Sequence, residues 1–381
     1  MLITVFTPAY NRGHLLHRVY ESLCKQTFRD FEWVVVDDGS TDGTRKLFQP
    51  NENETRSYEN GNVTQISRIS QIINENENEN STLYTLRSAL PLCTFRSKNS
   101  KLGTDSTLYT LNSKLKPFPI RYYYQENGGK HRAINRGVKE ARGELFLILD
   151  SDDTLPEKSL ETINHYYQQI KDDRSFGGVC GYMAHHDGTI IGRGCDMPVL
   201  DANSIEMRYK YNIQGDMLEV FRTEVMREIP FPEIPGEKFV SEALVWNRIA
   251  CKYRLRVFHE VVYYRDYLEG GLTDKIVKIR MTSPIAAMMT YAELNGYDIP
   301  FVSKVKAAIN YWRFRFCFIS HRNLNGTQIS RISRIINENE NETRSYENED
   351  GKGRYPKLRW WWNWVMPVGF AMYRRDVSRY L

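Results

Sequence analysis

The stretch Leu145-Phe-Leu-Ile-Leu-Asp-Ser-Asp-Asp153 decides the fold of this chain. Its apolar residues run directly into three aspartates, Asp150, Asp152 and Asp153. A continuous apolar run of this length is typical of a strand that is buried on both faces of a parallel sheet. Open α/β sheets bind their ligands at the carboxyl ends of such strands. We therefore predict an α/β fold with a polar site at the end of this strand.

The three aspartates also indicate the chemistry of that site. Carboxylates this close together repel one another unless a positive group lies between them. A divalent cation binds oxygen ligands and can join carboxylates to a phosphate group. The cluster therefore favours a metal-assisted site for a phosphorylated substrate. The alternative is a solvated acidic turn that opens a helix, which Pro156 and Glu157 would also suit.

Two earlier apolar runs end in the same way. The first, residues 2–11, opens the chain, and the second runs through Trp33-Val-Val-Val36 into Asp37 and Asp38. Apolar residues recur at helical spacing between them, which predicts a β-α-β unit with a right-handed crossover. A further helix is predicted over residues 130–142. We expect the three strands to bring their polar ends to one edge of the sheet.

Four motifs in this order resemble family 2 glycosyltransferases. They are Thr7-Pro-Ala-Tyr-Asn11, Val36-Asp-Asp-Gly-Ser-Thr-Asp42, Asn127-Gly-Gly-Lys-His-Arg-Ala-Ile-Asn-Arg-Gly137 and Gly143-Glu-Leu-Phe-Leu-Ile-Leu-Asp-Ser-Asp-Asp153. The resemblance covers residues 1–48 and 117–270. It implies the GT-A fold, which is Rossmann-like with a mostly parallel mixed sheet. It also implies inverting transfer of a sugar from a nucleotide-diphosphate sugar, commonly a UDP-sugar, with Mn²⁺ or Mg²⁺.

The resemblance assigns roles to individual residues. Asp152 and its neighbour Asp153 would bind the metal, Asp38 would recognise the donor base, and Asp150 would lie near the ribose. The basic residues 130–132 lie where the family approaches the nucleotide, although a helix start that faces solvent is the alternative. For Tyr10 and Asn11 the alternative is an ordinary turn. The full set implied to contact the donor is Pro8, Tyr10, Asn11, Asp37, Asp38, Lys130, Asp150 and Ser151.

An inverting transfer also needs a base for the acceptor hydroxyl. Phe239-Val-Ser-Glu-Ala-Leu-Val-Trp-Asn-Arg248 resembles the family's acidic pair followed by a helix that carries an arginine. The chain departs from that pattern at two positions. Ser241 occupies the place of the first acid, and Glu242, which is one methylene longer than aspartate, occupies the place of the second. We predict that Glu242 is the catalytic base. The alternative is an acid at a helix N-terminus, which the helix dipole favours.

Two polar segments interrupt these patterns. Residues 64–79 recur at 327–342 with a single difference, and both copies are rich in Asn and Glu. Such composition cannot bury a core. We predict low-complexity insertions at 49–116 and 325–350, within a glycosyltransferase domain of residues 1–270 and a helical C-terminal region of residues 271–381. The alternative for the insertions is a functional arm that contacts a partner.

The C-terminal region ends in a Trp-rich basic tail, residues 357–375. Four tryptophans flanked by basic residues suit a membrane interface, where Trp lies at headgroup level. The alternative is a segment that packs over the catalytic domain. Pro367 and Gly369 argue against one straight helix. No apolar run is long enough to predict a transmembrane helix.

Composition narrows the partners and the compartment. A net charge of +5 over 381 residues is mild. It suits an anionic donor or a membrane surface, and no motif indicates a nucleic-acid partner. The six cysteines show no paired spacing, which is typical of a reducing cytosol. With no signal peptide before the first strand, we expect a cytoplasmic protein, peripheral on the inner face of the plasma membrane.

The function that these patterns favour is glycosyl transfer to a glycan or lipid-linked acceptor, in the synthesis of cell-surface polysaccharide. A catalytically impaired protein that binds sugar nucleotides is the first alternative, because the insertions could disable the enzyme. A nucleotidyltransferase is the second. It is disfavoured because the turn after the first strand, Thr7 to Gly13, lacks a glycine-rich phosphate loop.

Overall fold

A computed structural model of the chain describes residues 1–48, 118–194, 197–265, 272–323 and 357–380. Both predicted insertions, 49–116 and 325–350, lie outside the described residues. The described chain forms an eight-stranded mixed sheet covered by helices on both faces, followed by a helical C-terminal region. The α/β architecture predicted from the first motif is confirmed.

The sheet has the order β3-β2-β1-β4-β7-β5-β8-β6. The strands that end in polar residues, β1, β2 and β4, are neighbours and run parallel, as does β3 beside β2. Strand β7 is antiparallel to β4 and β5, and β6 is antiparallel to β8. The bounds are β1 Ile3–Ala9, β2 Phe31–Asp38, β3 Ile120–Gln125, β4 Leu145–Ile148, β5 Phe176–Ala184, β6 Val199–Ala202, β7 Met217–Arg222 and β8 Arg254–Tyr264.

Helices cover the sheet because each presents an apolar stripe to it. One core cluster joins α1 and α3 to one face of the sheet, and a second joins α2, α5 and α6 to the other. The C-terminal helices α7 to α10 form a further cluster. The bounds are α1 Leu16–Cys24, α2 Lys130–Glu140, α3 Ser159–Gln168, α4 Ser204–Tyr209, α5 Thr223–Glu228, α6 Glu242–Ala250, α7 Leu272–Met281, α8 Pro284–Gly296, α9 Phe301–Asn323 and α10 Met366–Tyr380.

The C-terminal helices are attached to α6 by polar contacts. The guanidinium of Arg248 on α6 binds both carboxylate oxygens of Glu293 on α8, at 2.9 and 2.6 Å. The buried carboxylate of Glu237 accepts the N–H groups of Ile285 and Ala286 at the start of α8. Burial raises the pKa of Glu237 to about 8, although these two N–H donors favour its ionised form. The start of α8 is thereby fixed to the loop that precedes α6.

The Trp-rich tail adopts helical structure. A 3₁₀ helix, Trp360–Val365, leads directly into α10. Pro367 lies in the first turn of α10, where its missing N–H would have no intrahelical acceptor. Gly369 continues the helix because it lies against α9, where an added Cβ would come within 2.5 Å of the Trp312 Cβ. Residues 360–380 therefore form two helical segments rather than one straight helix, and Pro367 and Gly369 both lie in the second segment.

The described residues on either side of 49–117 lie in one aromatic cluster. Phe48 stacks on Tyr122 of β3 with ring centroids 4.6 Å apart, and Phe118 lies 4.7 Å from Phe31 of β2. Phe48 also contacts Trp33, two residues along the same strand as Phe31. Phe48 and Phe118, which flank residues 49–117, therefore both lie beside β2.

We expect that replacing residues 49–116 with a short Gly/Ser linker leaves the fold intact. Loop-closure entropy changes only slowly with length, so shortening the loop costs little. Circular dichroism and thermal melting should show the same secondary structure and one cooperative transition. Phe31→Ala in the trimmed chain is the control, because losing a buried Phe costs about 3–5 kcal/mol. An insoluble trimmed protein, or one without a cooperative transition, would show that 49–116 belongs to the domain.

Candidate active site

The ends of β1 and β2 are tied together by Asn11. Its backbone has a positive φ of 54°, and its side-chain oxygen accepts the N–H of Thr41 at 2.8 Å. The N–H of Asn11 donates to the Ser40 hydroxyl at 2.8 Å. The side-chain oxygen of Asn11 is therefore used within the protein. Of its predicted companions, Pro8 is buried inside β1, whereas Tyr10 is half exposed at the end of that strand.

Both aspartates at the end of β2 are buried and hydrogen-bonded. Asp37 accepts hydrogen bonds from the Ser40 N–H and the Tyr122 hydroxyl. The Asp38 carboxylate accepts the Gln125 side-chain amide on one oxygen. It also accepts two backbone N–H groups, from Gly128 at 2.9 Å and Gly129 at 2.7 Å. These bonds let Asp38 position the loop before α2, and one carboxylate oxygen keeps acceptor capacity. Its recognition of the donor base stays a prediction.

The loop that Asp38 holds is also fixed from its other side. Gly129 has a φ of +99°, and a Cβ there would lie 2.0 Å from the carbonyl oxygen of Lys238. The Lys238 ammonium donates to the Asn127 side chain at 2.7 Å. The start of α2, immediately after Gly129, is therefore clamped between the end of β2 and the loop that leads into α6.

Lys130, the first residue of α2, joins two predicted site residues. Its ammonium nitrogen lies 2.7 Å from a carboxylate oxygen of Asp150 and 2.9 Å from one of Glu242. Burial lowers the pKa of Lys130, but the charges of Asp150 and Glu242 outweigh it, so the pKa is raised overall. The predicted base and the first acid after β4 thus share one ammonium group. Glu242 is the first residue of α6 and is partly exposed.

The other basic residues of this segment point elsewhere. His131 is buried, and burial lowers its pKa to about 4, so its ring is neutral. Arg132 donates to the carbonyl of Ile234 at 3.1 Å. The expectation that all of residues 130–132 approach the nucleotide is therefore wrong for His131, since its ring is not accessible.

The acids after β4 have different surroundings. The Tyr263 hydroxyl on β8 accepts the Asp150 N–H at 3.0 Å and donates to the Asp153 carboxylate at 2.7 Å. Asp153 is buried, and burial together with the charges of Asp150 and Asp152 raises its pKa to about 7. Ser151 is also buried. Asp152 is partly exposed, and none of the described residues donates a hydrogen bond to its carboxylate.

These surroundings decide how the acids suit a divalent cation. Among the described residues, no three His, Cys, Asp or Glu side chains are grouped closely enough to bind a metal without other ligands. Asp152 presents an accessible carboxylate, which suits a cation that also binds diphosphate oxygens. Asp153 faces Tyr263 instead, so it supports the turn rather than offering a ligand. The fit therefore holds for Asp152 and not for Asp153.

Several residues of the site gave no signal in the sequence. Tyr263 and Tyr122 bind the acids from strands far along the chain, and Gln125 binds Asp38 in the same way. Glu219 on β7 is a further carboxyl group, and burial raises its pKa to about 7, with the charge of Glu242 adding to the shift. Their proximity comes from strand order, which no local motif encodes.

Comparison with known proteins agrees with this geometry. The profile described as Glycosyl transferase family 2 matches residues 4–68 and 99–185. The interval between its two matches lies inside the predicted insertion 49–116. Glycosyltransferase GlyG of Streptococcus pneumoniae is 24% identical over 71% of this chain and 72% of its own length. GalNAc(5)-diNAcBac-PP-undecaprenol beta-1,3-glucosyltransferase of Campylobacter jejuni is 21% identical over 71% of this chain and 67% of its own.

Among solved structures, S. aureus TarS 1–349 in complex with UDP aligns over 100% of this chain and 92% of its own length. The TM-score is 0.47 and the identity 17%. The matched profile, the glycosyltransferase relatives and the four motifs agree on one class. They support a family 2 glycosyltransferase with a mixed α/β sheet covered by helices.

We expect Asp38→Asn to destabilise the protein by about 1–3 kcal/mol, because an amide places a donor against a buried N–H. Thermal or urea unfolding measures the change. Asp30→Asn is the matched control, since Asp30 is exposed and makes only a long contact of 3.6 Å with the N-terminus. Its effect should stay within about 0.5 kcal/mol. Equal stability of the two variants would contradict a positioning role for Asp38.

Proposed function

We propose that the chain is an inverting glycosyltransferase that moves a sugar from a nucleotide-diphosphate sugar, a UDP-sugar, to an acceptor hydroxyl. The observation that carries the proposal is the contact of Lys130 with both Asp150 and Glu242. It brings the predicted base beside the predicted donor acids, although 92 residues separate them in the sequence. A single displacement needs these two groups together, since attack and departure occur in one step.

Glu242 accepts the proton of the acceptor hydroxyl as that oxygen attacks the anomeric carbon. Its carboxylate is partly exposed at the start of α6, so an acceptor can reach it from solvent. The Lys130 ammonium, at 2.9 Å, holds this carboxylate in place. Inversion follows because the chain supplies a base for the acceptor and no second carboxylate is required as a nucleophile.

The donor lies at the carboxyl ends of β1, β2 and β4, where Tyr10, Asn11, Asp37, Asp38, Asp150 and Ser151 are gathered. The Lys130 ammonium holds the Asp150 and Glu242 carboxylates beside this donor site. Tyr10 offers a half-exposed ring that the flat face of a base can contact. The buried members, Pro8, Asp37, Asp38 and Ser151, shape the strand ends that the donor contacts. Asp150 positions Lys130 through their ion pair.

A divalent cation, Mn²⁺ or Mg²⁺, would be held by Asp152 together with the diphosphate of the donor. Once bound, it would neutralise the negative charge that develops on the departing diphosphate. Asp153 keeps the preceding turn in shape through Tyr263, which also binds the Asp150 N–H. In this arrangement Asp153 acts through the backbone and not as a ligand.

We further propose a glycan or lipid-linked acceptor in polysaccharide synthesis, at the cytoplasmic face of the membrane. The printed name of the Campylobacter jejuni relative describes an undecaprenol-linked glycan. A lipid-linked acceptor would require contact with a membrane surface. None of the helices within the described residues is long and apolar enough to cross a membrane.

We expect Glu242→Gln to lower transfer by about 10²–10⁴-fold, because the amide cannot accept the acceptor's proton. UDP binding, measured by calorimetry, should stay within a few-fold of the unchanged protein. Glu161→Gln is the matched control, since Glu161 on α3 contacts only Thr27 at the surface. Transfer is measured as release of free nucleotide across a panel of nucleotide-sugars. Full activity of Glu242→Gln would exclude Glu242 as the base.

We expect Asp152→Asn to remove the effect of Mn²⁺ on UDP binding, because a neutral amide is a poor ligand for a hard cation. Calorimetric titration of UDP with Mn²⁺ and with EDTA gives the measurement. Asp172→Asn, at an exposed position after α3, is the matched control and should retain the metal effect. An unaltered metal effect in Asp152→Asn would place the cation on other groups.

A further inference from the structure

The C-terminal region exposes several large apolar side chains on three elements that pack together, α9, the 3₁₀ helix and α10. We name as the aromatic face Phe301 and Val302 at the start of α9, Trp360, Trp361 and Trp364 in the 3₁₀ helix, and Phe370 in α10. Their exposed fractions run from 43% for Phe370 to 77% for Trp360. Large apolar patches on a folded surface mark sites of contact with a protein or a membrane.

The aromatic face is held in place by the residues that alternate with it. Trp362 and Val365 are buried against Ala308 of α9. The Trp362 ring lies 5.7 Å from that of Phe301, which joins the start of α9 to the 3₁₀ helix. Arg313 of α9 and Asp376 of α10 form a buried ion pair that fixes the two helices together. The exposed tryptophans are therefore presented by a packed scaffold.

Positive charge surrounds the aromatic face. Lysine and arginine number five in residues 301–323 and five in residues 357–380, whereas the only acid of these two stretches is Asp376. Asp376 is buried and neutralised by Arg313. The exposed arginines of these stretches include Arg359, which precedes the tryptophans, and Arg374, Arg375 and Arg379 along α10. Asp376 is the one acid within the described part of these stretches, and it contacts both Arg313 and Arg375, so the net charge of the two stretches stays positive.

We propose that the aromatic face is a docking surface for an anionic phospholipid bilayer. Tryptophan and phenylalanine side chains enter the boundary between headgroups and acyl chains, and the arginines beside them bind lipid phosphates. The exposed apolar residues of α10 lie in its first half, beside the tryptophans, and its exposed arginines in its second half, which suits a helix whose N-terminal end enters the interface while its C-terminal half contacts headgroups. The inference rests on the membrane contact proposed above and specifies its surface and its lipid.

The charge pattern favours lipid over a second copy of the chain. Two copies that met through this face would bring their arginines together, which like-charge repulsion opposes. An anionic bilayer supplies the opposite charge over the whole face. Each basic residue near such a surface is attracted by about 1 kcal/mol, so several of them add a strong dependence on lipid charge and on salt.

The test is co-sedimentation of the full chain with vesicles of phosphatidylcholine alone and of phosphatidylcholine containing phosphatidylglycerol. We expect binding to the anionic vesicles, weakened by salt, and a blue shift of tryptophan fluorescence. The variant Trp360→Ser/Trp361→Ser/Trp364→Ser should lose the shift and most of the binding. Arg374→Gln/Arg375→Gln should bind anionic vesicles about thirtyfold more weakly. The control Lys139→Gln/Lys158→Gln, which removes equal charge from exposed positions on the catalytic domain, should bind as the unchanged protein does.

Three outcomes would overturn the proposal. The first is no vesicle binding by the unchanged protein, and the second is binding that the tryptophan variant retains. The third is self-association, seen by light scattering, that the tryptophan variant abolishes while vesicle binding is absent. Nucleotide release with a soluble acceptor is measured on the same preparations. If the unchanged protein releases no nucleotide, the proposed transfer is refuted. If it releases nucleotide but does not bind vesicles, only the docking surface is refuted.

Discussion

The carboxylate of Asp38 is the contact on which the site depends. It accepts the N–H groups of Gly128 and Gly129 and so fixes where α2 begins. Because Lys130 is the first residue of α2, its ammonium reaches both Asp150 at the end of β4 and Glu242 at the start of α6. The buried carboxylate of Asp38 at the end of β2 thus sets the position of Lys130, and Lys130 brings Glu242 and Asp150 together.

The sequence predicted the strands whose side chains are apolar on both faces. Strands β1, β2 and β4 have buried residues throughout most of their length, so each stands out as a continuous apolar run. Strand β3, Ile-Arg-Tyr-Tyr-Tyr-Gln, is half exposed at the edge of the sheet and has no such run. Strand β7 places Glu219 between buried neighbours. These two segments form strands because of their neighbours in the sheet, and the order of strands in a sheet is a property of the whole fold.

The same difference explains what could be predicted of the site. Motifs placed Asp150, Lys130 and Glu242 at a ligand edge, because strand ends and helix starts are local features of sequence. They could not show that Asp38 faces inward or that Asp153 faces Tyr263. Those orientations depend on partners between 87 and 110 residues away in the sequence, from Gln125 for Asp38 to Tyr263 for Asp153. Their residue type predicted that these acids bind the donor or a metal. In the structure, Asp37, Asp38 and Asp153 also accept hydrogen bonds from the protein itself.

The position of Glu242 also depends on the C-terminal helices. Helix α6 is held by the bidentate pair of Arg248 with Glu293, and the loop before it by the contact of Glu237 with the start of α8. Helix α8 packs in turn against α9, which carries part of the aromatic face. A bilayer that bound this face would therefore hold the same helical unit that positions the base. For a lipid-linked acceptor, one rigid connection would then fix both the distance of Glu242 from the membrane and its approach to the acceptor hydroxyl.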